Sequence, residues 1–138
     1  MTRSEVWTVK RMLEWATDFF ESKGLESPRL LIEWLLSDEL SVKRLDLYLN
    51  FDRPLASQEL ERLRPKVKDI ALGKPLQYVL GYEQFVGLHI KTDSRALIPR
   101  PETEELVMHV VDYMSDEVVY RVLDIGTGTG CIPLAIKA

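Results

Sequence analysis

Apolar side chains over the first seventy or so residues return every three or four positions, which is the spacing of amphipathic helices. Val6, Val9, Leu13, Ala16 and Phe20 form one such stripe, flanked by Trp7, Met12, Trp15 and Phe19. Thr2-Arg3-Ser4-Glu5 ahead of it fits a capping box, in which hydroxyl and carboxylate satisfy orphan amides reciprocally. Gly24 suits the stop, where a positive φ is needed. Ser27-Pro28 restarts the pattern, with Ser27 as N-cap and Pro28 at the first helical position. The next stripe is Leu30, Leu31, Trp34, Leu35 and Leu40. A short helix is expected through Val42, Leu45 and Leu49, and another from Ser57 carrying Leu60, Leu63, Val67, Ile70 and Ala71. Pro65 should kink or divide that helix near Arg64, because it removes an amide and crowds the preceding turn. Gly73, with Pro75 behind it, marks the end. The region reads as a small helical bundle whose aromatic stripes are core.

From Leu76 the pattern is expected to be extended. Tyr82 to Phe85 and Leu88 to Lys91 flank Val86-Gly87, a tight hairpin turn. His89 alternates out of phase with Leu88 and Ile90 and reads as a surface strand residue, with no second ligand placed to share a metal. His109 falls within a later helix and reads equally plainly. That helix opens at Arg100-Pro101-Glu102-Thr103-Glu104-Glu105, where Pro101 suits the first position and the acids favour the positive end of the helix dipole. Leu106, Val107, Val110, Val111 and Met114 make its apolar face, and Ser115-Asp116 ends it.

Val122-Leu123-Asp124-Ile125 reads as a short buried strand, followed at once by Gly126-Thr127-Gly128-Thr129-Gly130 and an apolar helix from Cys131. Strand, glycine turn and helix make half of a βαβ unit, in which a ligand sits against the strand end. The spacing is G-x-G-x-G, whereas a dinucleotide fingerprint is G-x-G-x-x-G and a phosphate loop ends in a lysine. Asp124 would repel a pyrophosphate but suits an ammonium or hydroxyl donor, as on S-adenosylmethionine. The plainer readings are a strand-end carboxylate capping local amides for Asp124, and turn filling for Thr127 and Thr129. Cys131 reads as a small core residue.

Composition narrows the context more than the chemistry. With 138 residues, 46% hydrophobic and 29% charged, the chain suits a globular protein with its own core. One cysteine excludes an internal disulfide framework and a Cys-rich zinc site. No apolar run reaches membrane-span length and the N-terminus lacks a secretory h-region, so the expected location is cytoplasmic. A net charge of −4 argues against wholesale nucleic-acid binding.

Several segments taken together carry a resemblance. Gly73-Lys74-Pro75-Leu76-Gln77-Tyr78-Val79-Leu80-Gly81, then Phe85 and Gly87, then Leu97-Ile98-Pro99-Arg100-Pro101-Glu102-Thr103-Glu104, and Asp124 to Gly130 follow in the order seen in one family. The chain closely resembles the HemK-type protein-(glutamine-N5) methyltransferases that modify peptide-chain release factors, thinly over the first seventy residues and strongly from Gly73 onward. The resemblance implies a mostly α chain: a helical bundle at 1–75 that helps recognise the release factor, an extended hairpin linker at 76–96, and from 97 to 138 the first strand and helix start of a Rossmann-like class I methyltransferase domain. It also implies that Asp124, Gly126, Thr127, Gly128, Thr129 and Gly130 contact S-adenosylmethionine and that Arg100, Pro101, Glu102 and Thr103 line the pocket. A sister family acts on a ribosomal protein, and Pro101-Glu102-Thr103-Glu104 favours the release-factor branch.

The family's glutamine-gripping Asn-Pro-Pro-Tyr motif does not occur in this sequence, so no catalytic residue is assigned. The expectation is an N-terminal part of the enzyme that is inactive by itself, binds the cofactor poorly or not at all, and can self-associate through the unpaired strand at Val122 to Ile125. The alternatives are a non-catalytic module docking a release factor, a methyltransferase of a ribosomal protein or nucleic acid, and, more distantly, a nicotinamide enzyme. No membrane partner and no metal are expected.

Overall fold

The computed structural model describes residues 6–138, so the Thr2 to Glu5 capping box lies outside the described residues. The chain forms two compact units, one running to Val79 and the other from Leu80 to Ala138. Among the described residues no helix is long and apolar enough to cross a membrane.

The first unit is built from α1 (Val9–Ser22), α2 (Pro28–Leu40), α3 (Arg44–Leu49) and α4 (Ser57–Ala71). α1 starts later than its apolar stripe suggests. Thr8 caps it, its hydroxyl accepting from Arg11 N–H at 3.3 Å, while Thr8 itself bridges to Pro54. Leu13, Ala16, Phe20, Ile32, Leu35, Leu36 and Leu63 are fully buried and form the core. The helix ends where Gly24 predicts, with Gly24 N–H bonding Glu21 C=O and Leu25 N–H reaching back to Phe20 C=O.

One local expectation holds in this unit and another fails. Ser27 is the N-cap of α2 and Pro28 opens the helix, as expected, although Ser27 makes no side-chain cap bond and its backbone is left-handed at φ 50°. α4 runs unbroken through Pro65. Proline costs one intrahelical bond there, but Leu63, Val67 and Ile70 on either side are buried, and that packing holds the helix together. Glu59 also anchors the start of α4, accepting from Ala56 N–H at 2.8 Å and pairing with Arg53 at 2.8 Å.

α5 (Leu76–Leu80) is a second correction, since this stretch reads as extended from sequence. Pro75 C=O accepts from Tyr78 and Val79 N–H and closes the turn.

In the second unit β1 (Tyr82–Phe85) and β2 (Leu88–Lys91) pair antiparallel, with Phe85 opposite Leu88 and Tyr82 opposite Lys91. The two turn residues have φ 46° at Val86 and 76° at Gly87, the signs of a type I′ hairpin. α6 (Pro101–Tyr113) and α7 (Cys131–Lys137) complete the unit. Phe85, Ile90, Val107, Cys131 and Ala135 form its core, with Leu88, Ile132 and Ile136 packed against them. Of the apolar face expected on α6, only Val107 is buried, whereas Leu106 and Val111 are exposed. Residues 121–124 form no strand, and Val122, Leu123 and Ile125 are exposed rather than buried. A strand exists only through a ladder, and no described segment pairs with this one.

Candidate functional site

The glycine run leads directly into α7. Gly126, Gly128 and Gly130 all lie at positive φ, at 76°, 57° and 79°, where a side chain would strain the backbone. A Cβ at Gly126 or Gly128 would project into open space, so the backbone there is accessible to a ligand. Gly130 N–H donates to Thr127 C=O at 2.9 Å and closes the turn, and Gly130 C=O then accepts from Leu134 N–H. Beside the loop, Asp124 Oδ2 is buried with no hydrogen-bond partner among the described residues. A buried carboxylate oxygen without a donor is costly, so this atom calls for a ligand's N–H or O–H.

α7 is held by packing, since Cys131 and Ala135 are both buried in the second unit's core. Cys131 is a free, buried thiol, as its apolar surroundings predict. Arg100, Pro101 and Glu102 are exposed at the start of α6, and Thr103 is half-buried there. α6 packs on α7, but among the described residues no hydrogen bond or ion pair joins 100–103 to 124–130.

Glu104 has a role that the helix-start reading of its acidic run misses. Its Oε1 accepts from Val86 N–H at 2.7 Å, tying the hairpin turn to the first turn of α6. Val86 is a β-branched residue in the left-handed region, a costly conformation that this bond helps to hold. The sequence signal was the valine in a turn position that ordinarily takes Asn, Asp or Gly. His89 is exposed, its ring stacked on Tyr82 at 4.7 Å and its Nε2 3.3 Å from Gln84 Nε2. Among the described residues no three His, Cys, Asp or Glu side chains gather to hold a metal ion.

The sequence model of the PrmC N-terminal domain matches residues 11–81, slightly more than half of the chain. The chain belongs to the PrmC N-terminal domain family. This match covers the helices of the first unit and ends on the Gly73 to Gly81 segment. Beyond the PrmC domain, similarity extends along nearly the whole chain. It is 43% identical over 134 residues to the release factor glutamine methyltransferase of Rhodopirellula baltica, covering 94% of this chain and 45% of that protein. The proteins of the same name from Geobacter sulfurreducens and Chlorobaculum tepidum are 41% and 38% identical, covering 97% and 99% of this chain and 46% and 48% of theirs. The chain thus spans about half the length of the curated relatives it matches.

Proposed function

We propose that this chain is the recognition and cofactor-loop portion of an enzyme that methylates a glutamine side-chain amide of a peptide-chain release factor in the cytoplasm, with S-adenosylmethionine as methyl donor. The observation that carries this reading is Asp124 Oδ2, buried and unpartnered beside a loop of three positive-φ glycines. Relatives over nearly the whole chain are named release factor glutamine methyltransferases, which supports the choice of substrate.

The residues fit the cofactor. Its bound form supplies a methyl group activated on a sulfonium. Asp124 would accept from its ammonium or a hydroxyl, and Gly126, Gly128 and Gly130 would let backbone approach closely, with Thr127 and Thr129 at the rim. Arg100, Pro101, Glu102 and Thr103 would line the approach to the pocket. Residues 97–138 are the start of a Rossmann-like methyltransferase domain on this reading, 76–96 a linker, and 1–75 the domain that recognises the release factor. The exposed Val122, Leu123 and Ile125 mark the segment at which a sheet, or a second copy of the chain, would add.

An amide nitrogen is a poor nucleophile, because its lone pair is delocalised into the carbonyl. Catalysis therefore rests on holding it in line, roughly 3 Å from the methyl carbon, and on taking up the proton it loses. The described residues contribute to cofactor holding and partner recognition, and none is assigned to gripping the amide.

The test is titration of the isotopically labelled chain with S-adenosylhomocysteine, followed by amide NMR. The expected result is weak, saturable shifts confined to residues 124–130, abolished by Asp124→Ala. Shifts elsewhere only, or none at about 5 mM ligand, would overturn the assignment of this loop.

A further inference from the structure

The first unit carries a groove of about 190 Å³ on its surface, lined by Met12, Trp15 and Phe19 of α1 and by Arg64, Val67 and Lys68 of α4. Its floor is aromatic. Trp15 stacks on Phe19 with ring centres 5.4 Å apart, and Trp7 meets Trp15 edge-on at 5.6 Å. Trp15 is 45% exposed, an unusual position for so large an apolar ring. Among the described residues no carboxylate lines the groove, and Arg64 and Lys68 are exposed and make no ion pair. Lys23 adds a third cation, 5.5 Å above the Phe19 ring. The basic rim is local, because the chain as a whole carries a net charge of −4.

We infer that this groove docks an acidic amphipathic helix of a protein partner, its aliphatic side chains seated on Trp15 and Phe19 and its carboxylates paired with Arg64 and Lys68. The volume is below the roughly 300–1,000 Å³ of small-molecule pockets and suits one or two side-chain anchors. An apolar floor between charged rims is the arrangement of helix-in-groove recognition. The rim charges steer an acidic helix, and the negative balance elsewhere on the chain repels it, so encounter is focused on this face. The inference stands on the first unit alone and needs neither cofactor nor methyl transfer.

The probe is a fluorescently labelled helical peptide of about 18 residues, long enough to fold, with Leu along one face and Glu along the other. It is titrated against the full chain by anisotropy, beside a counterpart with Lys in place of Glu. The acidic peptide is expected to bind and to weaken as salt is raised, while the lysine peptide does not bind. Trp15→Ala should weaken binding by about 30-fold, as for a buried aromatic anchor. The surface pair Arg64→Glu with Lys68→Glu should weaken it by about tenfold or more and remove the salt dependence. Circular dichroism of both variants establishes that the helices persist. The inference is overturned if the acidic peptide fails to bind, if both peptides bind equally, or if the folded charge-reversed variant binds as before.

Discussion

The two units treat apolar sequence differently. In the first, most of the helical stripes are buried: Val9, Leu13, Ala16 and Phe20 of α1, Ile32, Leu35 and Leu36 of α2, and Leu63, Val67 and Ile70 of α4, although Leu45 and Leu49 of α3, expected on an apolar stripe, are exposed. The second buries only a small core around Phe85, Ile90 and Val107 and leaves Leu106, Met108, Val111, Val119, Leu123 and Ile125 exposed. Burial of apolar area is the main stabilising term in folding, so the first unit has the means to be the more stable of the two. The second holds its shape by the hairpin ladder, the Glu104 to Val86 tie and one cluster of side chains. Periodicity therefore tells the truth about burial only where the chain also supplies the opposite face.

The largest test of this contrast is to empty each core in turn. Phe20→Ala should cost about 3–5 kcal/mol and Phe85→Ala a comparable amount, each read by hydrogen exchange. Amides of α1 and α2 should lose protection in the first variant, and those of the hairpin and α6 in the second. Equal loss of protection across both units in either variant would end the idea of two separate cores.

A smaller effect is expected at Glu33, which is buried between α2 and α3. It pairs with Arg29 at 3.1 Å and Arg44 at 3.3 Å and accepts from the Tyr48 hydroxyl. Both guanidinium groups are more than a third exposed, so their attraction is partly screened. Glu33→Leu should cost about 2 kcal/mol in urea denaturation, mainly by stranding these donors. A neutral result would mean that packing alone sets the α2–α3 angle.

The smallest effect is a pH dependence. The Arg53 guanidinium, together with Ala56 N–H, holds the Glu59 carboxyl below the ordinary glutamate range. A lowered folded-state value means stability that is complete above the unfolded value near pH 4.3 and is lost as pH falls through the folded one. Glu59→Gln should therefore cost about 1 kcal/mol at neutral pH, and the difference from the parent should shrink in acid. Asp93 in the second unit is also held well below its usual range by Arg95, but that pair is open to solvent. Asp93→Asn should leave stability unchanged, and a large loss would show that the second unit relies on surface charge.

Much of this was legible one residue at a time. The Val86-Gly87 turn, the stop at Gly24 and the helix opening at Pro101 follow from local chemistry, and the structure has them there. Other features had competing local and distant causes. Pro65 reads as a helix breaker, yet flanking burial carries α4 through it. Leu76 to Leu80 reads as extended, yet one carbonyl at Pro75 turns it into a short helix. Within the candidate site, the glycine spacing and Asp124 were visible as a motif, whereas the unsatisfied state of Asp124 Oδ2 and the tie from Glu104 were not.

The sequence by itself determined where most of the helices and the hairpin form, and the glycine stop at Gly24, because those depend on backbone sterics and periodicity within a few residues. Only the tertiary structure decided which stripes are buried, which carboxylates find donors and where an aromatic floor meets a basic rim. Those outcomes depend on contacts between residues far apart in the chain, and no local pattern encodes them.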